Sequence, residues 1–233
     1  MTRRMLLGGT LVAGSAGALA VLNVWPQEVA SPSGSSPATY DPSAGRETLS
    51  DGRQVVLEDP ISQEQVDQMD VQPSGLRMEV PAAGIFAEMR SMHSYLGEDG
   101  VKILNPPTSE HPYWVRDWAD PVDGTGMVVV ATHSVRGLPE IPGSRLIDID
   151  AGRSTLSPGD VILIGDRRFE VTVVHEELKG DLAGDQEIWA DIPGKLLIVT
   201  CLQRSAGKSQ KNIVIEAMES AVDGTSLGSD GGA

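Results

Sequence analysis

Cysteine occurs once in the 233 residues of this chain, at position 201. A single thiol excludes a disulfide within the chain, so the sequence does not indicate a redox compartment. The four histidines and the one cysteine lack the spacing of a zinc site, and we predict neither a metal nor a cofactor. Asp181, Asp185 and Glu187 could form a calcium loop, although solvated acidic side chains are the simpler interpretation.

Basic residues are also scarce, because 18 Lys and Arg stand against 33 Asp and Glu and give a formal net charge of −15. This balance argues against a nucleic-acid partner, since contacts to phosphates require clustered lysine and arginine side chains. It also argues against adhesion of the folded part to an anionic membrane surface.

Sustained helical periodicity is a third feature that the sequence lacks. Short β-branched and apolar runs, separated by Gly, Pro and Asp, predict strands instead. The predicted strands cover residues 76–80, 127–132, 145–149, 161–164, 169–174, 196–201 and 212–217. The pattern is typical of an all-β barrel or sandwich, with short helices over residues 85–96 and 176–188.

The N-terminus carries a membrane or export signal. Arg3 and Arg4 precede 21 uncharged residues, 5–25, close to the roughly 20 residues that span a bilayer. We therefore predict a signal anchor over residues 1–25, or a cleaved signal peptide with an Ala-Leu-Ala site at residues 18–20.

The rest of the chain divides into three parts. Residues 26–75 predict a linker rich in Ser, Pro and Gly, followed by a loose arm that has an acidic, Gln-rich stretch at residues 61–70 and room for a short helix. Residues 76–218 form the predicted folded domain. Residues 219–233 predict a disordered tail.

Cys201 is the candidate nucleophile, because it ends an apolar run at residues 196–200 that predicts a buried strand. Free cysteine is also commonly a small buried hydrophobe. A partner that activates the thiol would decide between the two interpretations.

His133 is the first candidate for that partner. It follows the apolar run at residues 127–132 and would share a sheet edge with Cys201 if the two strands are neighbours. His175 is the rival base, but its strand continues into Glu176 and Glu177, which is more typical of a solvated turn than of a cleft.

Two motifs lie at the ends of these predicted strands, with His133 and Cys201 68 residues apart: Thr132-His133-Ser134 and Ile198-Val199-Thr200-Cys201. They resemble the sortases, the cysteine transpeptidases of Gram-positive cell surfaces. Residues 104–108 (Leu-Asn-Pro-Pro-Thr) and 113–118 (Tyr-Trp-Val-Arg-Asp-Trp) resemble the segment before the histidine strand in the actinobacterial class F-like branch.

The resemblance implies a closed sortase-like β-barrel of about eight strands and acyl transfer through a thioester on Cys201, with His133 as the acid and base. The implied partners are proteins with an LPxTG-like sorting signal, cleaved between Thr and Gly, and a peptidoglycan amine of the cell wall as acceptor. Sortases usually keep their anchor, which favours a single-pass cell-membrane protein with an extracellular catalytic domain.

Two other functions remain open from the residues alone. One is a cysteine peptidase that uses the same pair of residues with water as acceptor. The other is an exported β-barrel binding module with a degenerate site.

The third catalytic residue of sortases is an arginine on the strand after the cysteine strand. The corresponding predicted strand, residues 212–217, contains no arginine, and the family position falls near Gln210 or Lys211. Arg204, three residues past Cys201, is therefore our candidate, with a solvated loop arginine as the alternative. Lys211 is a poorer substitute, because an ammonium lacks the planar fork of guanidinium.

Overall fold

The computed structural model describes residues 37–97, 100–122 and 124–221. The predicted signal segment at residues 1–25 and residues 222–233 of the predicted tail lie outside these ranges. Glu219, the first residue of the predicted tail, is the last residue of a strand. Among the described helices, none has both the length and the apolar character needed to cross a membrane.

The described residues form fifteen β-strands and three short α-helices. The strands are β1 Thr39–Asp41, β2 Arg46–Thr48, β3 Gln54–Val56, β4 Gln72–Val80, β5 Ile85–Met92, β6 Tyr95–Leu96, β7 Lys102–Ile103, β8 Tyr113–Val115, β9 Val128–Ala131, β10 Ile147–Asp148, β11 Arg153–Ser154, β12 Val161–Ile164, β13 Arg167–Leu178, β14 Lys195–Leu202 and β15 Lys211–Glu219. The helices are α1 Gln63–Met69, α2 Pro142–Arg145 and α3 Lys179–Leu182.

Eight of these strands close into a barrel in the order β12-β13-β15-β14-β9-β8-β5-β4, and β4 pairs with β12. Neighbouring strands are antiparallel, except that β9 with β14 and β5 with β8 are parallel. The predicted all-β fold, a closed barrel of about eight strands with short helices, is confirmed.

The cysteine strand β14 is buried on both faces, which explains why its sequence is a continuous apolar run without polar alternation. Leu196 and Ile198 belong to the cluster inside the barrel, whereas Leu197 and Val199 belong to a second cluster on its outer side. Cys201 is the one residue of β14 that is only half-buried. The strand therefore brings a thiol to the point where the outer cluster meets solvent.

The helix predicted over residues 85–96 is wrong, because this segment forms β5 and β6. Ile85 and Met89 are buried four residues apart, a spacing that fits one face of a helix and equally one face of a strand. Pairing with β4 on one side and with β8 on the other decides for the strand.

Two other predicted elements change length. The helix predicted over residues 176–188 is confined to α3, because β13 continues its ladder with β15 as far as Leu178, which pairs with Lys211. The strand predicted over residues 145–149 shrinks to β10, because α2 occupies the chain up to Arg145.

The segment predicted as a linker and loose arm differs most from expectation, since residues 37–71 are packed on the barrel. Strands β1, β2 and β3 form a small antiparallel sheet, and α1 is the expected short helix, with Ser62 and Gln65 in a capping box. The sheet buries a third apolar cluster against the segment before α2, consisting of Leu49, Val55, Leu57 and Ile141. Buried residues alternate here, at 45, 47 and 49 and again at 55 and 57, but Gly45 and Glu47 are among them, so the sequence shows no apolar alternation that would predict strands.

Glu47 of β2 fastens this arm to the loop between β7 and β8. Its side chain is fully buried, and each carboxylate oxygen lies 2.9 Å from the Ser109 amide nitrogen, which donates to them. Burial raises the pKa of Glu47, although the bonds from Ser109 oppose the rise. The arm thereby positions the loop that carries Pro106 at the site.

Candidate active site

The parallel pair β9 and β14 places His133 and Cys201 side by side. Each aligned pair of residues is 68 positions apart, from Val128 beside Leu196 to Ala131 beside Val199. His133 and Cys201 have the same separation, and they lie on the outer face of the barrel with Ala131 and Val199, because side chains alternate with period two.

Hydrogen bonds continue this alignment past the end of β9. The Thr132 amide donates to the Val199 carbonyl at 3.0 Å. The Ser134 hydroxyl donates to the Cys201 carbonyl at 2.5 Å. The two strand ends are thus fastened together at the level of the predicted base and nucleophile.

A groove of about 660 Å³ begins at these two residues. Its far wall is apolar, and Trp118 and Trp189 stack there with ring centroids 5.4 Å apart. The lining also includes Tyr95, Ile103, Leu104, Leu182 and Val199. Such a groove suits an extended peptide with aliphatic side chains.

A second cavity of about 420 Å³ also opens onto the pair. It shares Asp59, Asn105, His133 and Cys201 with the larger groove, and the remaining lining comes from the arm, from the segment after His133 and from Gln203. The thiol and the imidazole therefore face two cavities, one mainly apolar and one more polar.

His133 is held by a single strong contact. Its Nε2 lies 2.6 Å from the Pro106 carbonyl oxygen, and since a carbonyl only accepts, Nε2 carries the proton and Nδ1 is the basic nitrogen. Burial lowers the pKa of His133, while the Pro106 carbonyl opposes that shift. The resting imidazole is neutral at neutral pH.

The backbone of His133 is supported from behind by α2. A Cβ atom at Gly143 would lie 2.1 Å from the His133 carbonyl oxygen, so only glycine fits at this point of contact. The Ser144 hydroxyl accepts from the Val135 amide at 2.8 Å and fixes the chain just after the histidine. The position of His133 thus depends on a close approach between two backbones.

The thiol of Cys201 is neutral as well. Burial raises its pKa, the charge of Lys179 opposes the rise, and the carboxylates of Glu58 and Asp59 add to it. A proton must therefore pass from the thiol to the imidazole before the sulfur becomes a nucleophile.

Arg204, the predicted third residue, is not brought to the thiol. It is exposed on the loop after β14 and lines neither cavity. In the described part of the chain its guanidinium has no hydrogen bond or ion pair. Lys211, the alternative, pairs with Glu176 at 3.3 Å, and its neighbour Asn212 is the β15 residue that faces Cys201 across the ladder and lines the groove.

His175, the rival base, lies elsewhere on the barrel wall. Its Nε2 is 2.8 Å from Glu216, whose other oxygen is 2.7 Å from the buried ammonium of Lys195. His175 lines neither cavity at Cys201. Of the two candidate bases, only His133 lines the cavities that Cys201 lines.

The sequence did not predict four residues that surround the thiol: Glu58, Asp59, Lys179 and Asn212. Glu58 and Asp59 belong to the arm, whose buried positions form no apolar pattern in the sequence. Asn212 lies opposite Cys201 through the hairpin pairing of β14 with β15, and this pairing is the signal that could have identified it. Lys179 stood in a segment expected to be a helix.

The described residues contain no group of three or more His, Cys, Asp and Glu that could hold a metal ion. At the suggested calcium loop, the Asp185 carboxylate accepts from the amides of Glu187 and Ile188 at 2.9 and 3.1 Å.

No family model matches the chain, and no curated protein matches it. Similar solved structures include sortase A from Corynebacterium diphtheriae (TM-score 0.46, 16% identity, covering 64% of this chain and 62% of that chain). They also include sortase C-1 from Actinomyces oris (0.45, 14%, 71% and 86%) and sortase A from Listeria monocytogenes (0.43, 14%, 63% and 86%). This chain thus spans about three fifths of the Corynebacterium structure.

Proposed function

We propose that this protein is a sortase-type cysteine transpeptidase that cleaves an LPxTG-like sorting signal and transfers the acyl group to a cell-wall amine. The observation that carries the proposal is the placement of His133 and Cys201 at one level of two parallel strands, facing both cavities. The two motifs that resemble those of sortases lie at the ends of these same two strands.

The first half-reaction forms a thioester. The Cys201 thiol gives its proton to Nδ1 of His133, and the sulfur attacks the Thr carbonyl carbon of the signal, moving the π pair onto oxygen. When the carbon–nitrogen bond breaks, the departing amine of Gly takes the proton from the imidazolium, and the carbonyl is rebuilt as a thioester on Cys201.

The second half-reaction runs in reverse with a new amine. The acceptor amine attacks the thioester carbon and loses a proton to His133, and the sulfur leaves with its electron pair and recovers the proton. Two cavities that meet at the thiol allow an acyl donor and an acceptor to approach from different directions. With water as the acceptor, the same steps give peptide hydrolysis.

The apolar groove supports the choice of donor. A Leu-Pro pair has no charge to satisfy and little conformational freedom to lose, and the stacked Trp118 and Trp189 offer it a flat apolar wall. The class F-like assignment rests on the resemblance of residues 104–108 and 113–118. Pro106, in the first of these segments, also supplies the carbonyl that orients His133.

We also propose that residues 1–25 keep the protein in the cell membrane with the barrel outside, because Arg3 and Arg4 bias the short N-terminal side inward. Fractionation of cells that make the full chain, followed by protease treatment of intact cells, tests this. A mature secreted species beginning near residue 21 would contradict it.

The experiment that tests the function is a cleavage assay on sorting-signal peptides, with and without an added amine. We expect Cys201→Ala and His133→Ala to abolish turnover, and His175→Ala, the matched control, to retain it. Products that contain the amine identify a transpeptidase, whereas a free carboxylate in its presence identifies a peptidase. Cleavage that survives Cys201→Ala, or no cleavage of any peptide by the unmodified protein, would refute the proposal.

A further inference from the structure

The proposed reaction needs a positive charge near the thiol. The strand after the cysteine strand, where sortases carry an arginine, does not supply one. Among the described residues, three cationic side chains line the two cavities: Lys102, Arg136 and Lys179. Lys102 pairs with Asp117 at 3.3 Å, and its ammonium lies over the Trp118 ring. Only Arg136 and Lys179 remain as candidates near the thiol.

The guanidinium of Arg136 is already engaged by two groups of the protein. Its guanidinium donates to the Gly207 carbonyl at 2.5 Å and lies 3.8 Å from Glu58. It lines only the smaller cavity, whereas Lys179 is the cation whose charge and hydrogen bond lower the pKa of Cys201.

Lys179 is placed at the thiol by the barrel itself. Strand β13 ends at Leu178, which pairs with Lys211, and Lys211 in turn pairs with Leu202, the neighbour of Cys201. The Lys179 amide donates to the Gln210 carbonyl at 3.0 Å, which fixes the first residue of α3 beside the start of β15. Its side chain lines the same groove as Cys201, His133 and Asn212.

We propose that Lys179 is the catalytic cation of this site, stabilising the Cys201 thiolate and then the oxyanion of the tetrahedral intermediate. The assignment rests on the proposed acyl-transfer function and replaces Arg204 in the third role. It requires no movement of the exposed loop that carries Arg204.

The charges around the sulfur agree with this role. Burial and the carboxylates of Glu58 and Asp59 raise the pKa of Cys201, whereas the charge and the hydrogen bond of Lys179 lower it. His133 is the other titratable group that lines both cavities with the thiol. Burial lowers the pKa of Lys179, but the Cys201 thiolate and Asp59 outweigh burial and raise it, so the amine remains protonated.

Asp59 holds the ammonium in the resting protein. The Lys179 nitrogen lies 2.8 Å from its carboxylate, while about half of the Asp59 side chain is exposed. A half-exposed ion pair contributes little to stability. Lys179 can therefore donate to a substrate oxygen, without giving up its proton, while the sulfur–carbon bond forms and negative charge develops there.

The first test measures the rate of iodoacetamide alkylation of Cys201 in the full chain as a function of pH. Lys179→Gln should move the inflection upward by about one pH unit and slow alkylation at neutral pH roughly tenfold. Asp59→Asn should move it downward, because a carboxylate that disfavours the thiolate is lost. Lys179→Arg should stay close to the unmodified protein.

Opposite shifts are the decisive result, because both variants break the same ion pair. If Lys179 only held the arm in place, Lys179→Gln and Asp59→Asn would shift the inflection in the same direction, and the proposal would fail. Lys208→Gln is the matched control, since Lys208 also faces Asp59, at 3.5 Å, but is exposed; it should shift the inflection little. An upward shift in Arg136→Gln with none in Lys179→Gln would give the role to Arg136.

The second test follows thioester formation on Cys201 by mass spectrometry in a single turnover with a sorting-signal peptide. Lys179→Gln should slow acylation about 10²- to 10³-fold, the usual loss of one oxyanion donor, and Lys179→Arg should recover most of it. Equal rates in Lys179→Gln and the unmodified protein would overturn the oxyanion role. Absence of any thioester in the unmodified protein would reject the acyl-transfer function. The alkylation test would still show whether Lys179 is the cation that stabilises the Cys201 thiolate.

Discussion

Gly143→Ala should inactivate the protein without a change in any reacting group. The new Cβ would lie 2.1 Å from the His133 carbonyl oxygen, where real Cβ atoms keep at least 3.0 Å, so the two backbones must separate by 0.9 Å. The same Cβ would lie 2.9 Å from the Thr200 hydroxyl, which prevents escape toward β14. The displacement therefore falls on His133.

A misplacement of this size in a catalytic group costs about 10²-fold in rate, and overpacking of a buried site costs about 1 to 3 kcal/mol in stability. Helix propensity alone predicts the opposite sign, since Ala in place of Gly favours a helix by up to about 1 kcal/mol. Gly184→Ala is the matched control, because its Cβ would make an ordinary contact, 3.6 Å from the Asp181 carbonyl oxygen.

The assay combines single-turnover acylation of Cys201 with urea unfolding of each variant. We expect Gly143→Ala to remain folded, to lose acylation and to keep its alkylation by iodoacetamide, because the thiol itself is not moved. A Gly143→Ala variant with unmodified acylation and stability would show that the approach of α2 does not position His133.

The pKa shifts predict a broad pH profile of kcat/KM: the pair must carry one proton, so activity falls below the lowered pKa of His133 and above the raised pKa of Cys201. A profile narrower than the ordinary values of these groups allow would contradict this prediction. Glu47→Ala should lower the free energy of unfolding by about 1 to 3 kcal/mol, because the buried Ser109 amide loses its acceptor. Glu47 has a raised pKa when folded, so its stabilisation is full below the unfolded pKa and declines as pH rises through the folded value. Urea unfolding at several pH values should therefore show that the free energy of unfolding of Glu47→Gln increases relative to that of the unmodified protein as pH rises. A difference that does not change with pH would contradict this sign.

The barrel was predictable because its central strands are apolar on both faces. Runs such as Val128–Ala131 and Val161–Ile164 need no tertiary information to be identified as strands. Strand β5 was not predictable in this way, since Ile85 and Met89 suit a helix and a strand equally, and the pairing with β4 and β8 that settles the matter is long-range.

His133 and Cys201 could be proposed from the sequence because each follows such an apolar run. Lys179, the proposed cation, could not. Lys179 approaches Cys201 only through two successive strand pairings, β13 with β15 and β15 with β14. Asp59 reaches the site through an arm whose buried positions alternate but include Gly45 and Glu47, so they form no apolar pattern in the sequence. Neighbours of this kind depend on topology and not on proximity to Cys201 along the chain.

The shared alignment of β9 and β14 also determines which changes in chain length the protein can survive. Material added to the long connection between the two strands, at an exposed turn such as residues 150–152, leaves both strand ends at the same level. Deletion of a single residue within β9 is different, because every side chain beyond it changes face and His133 would turn into the barrel. We expect the protein to tolerate insertions in the connection between β9 and β14. Deletion of a single residue within either strand should abolish activity.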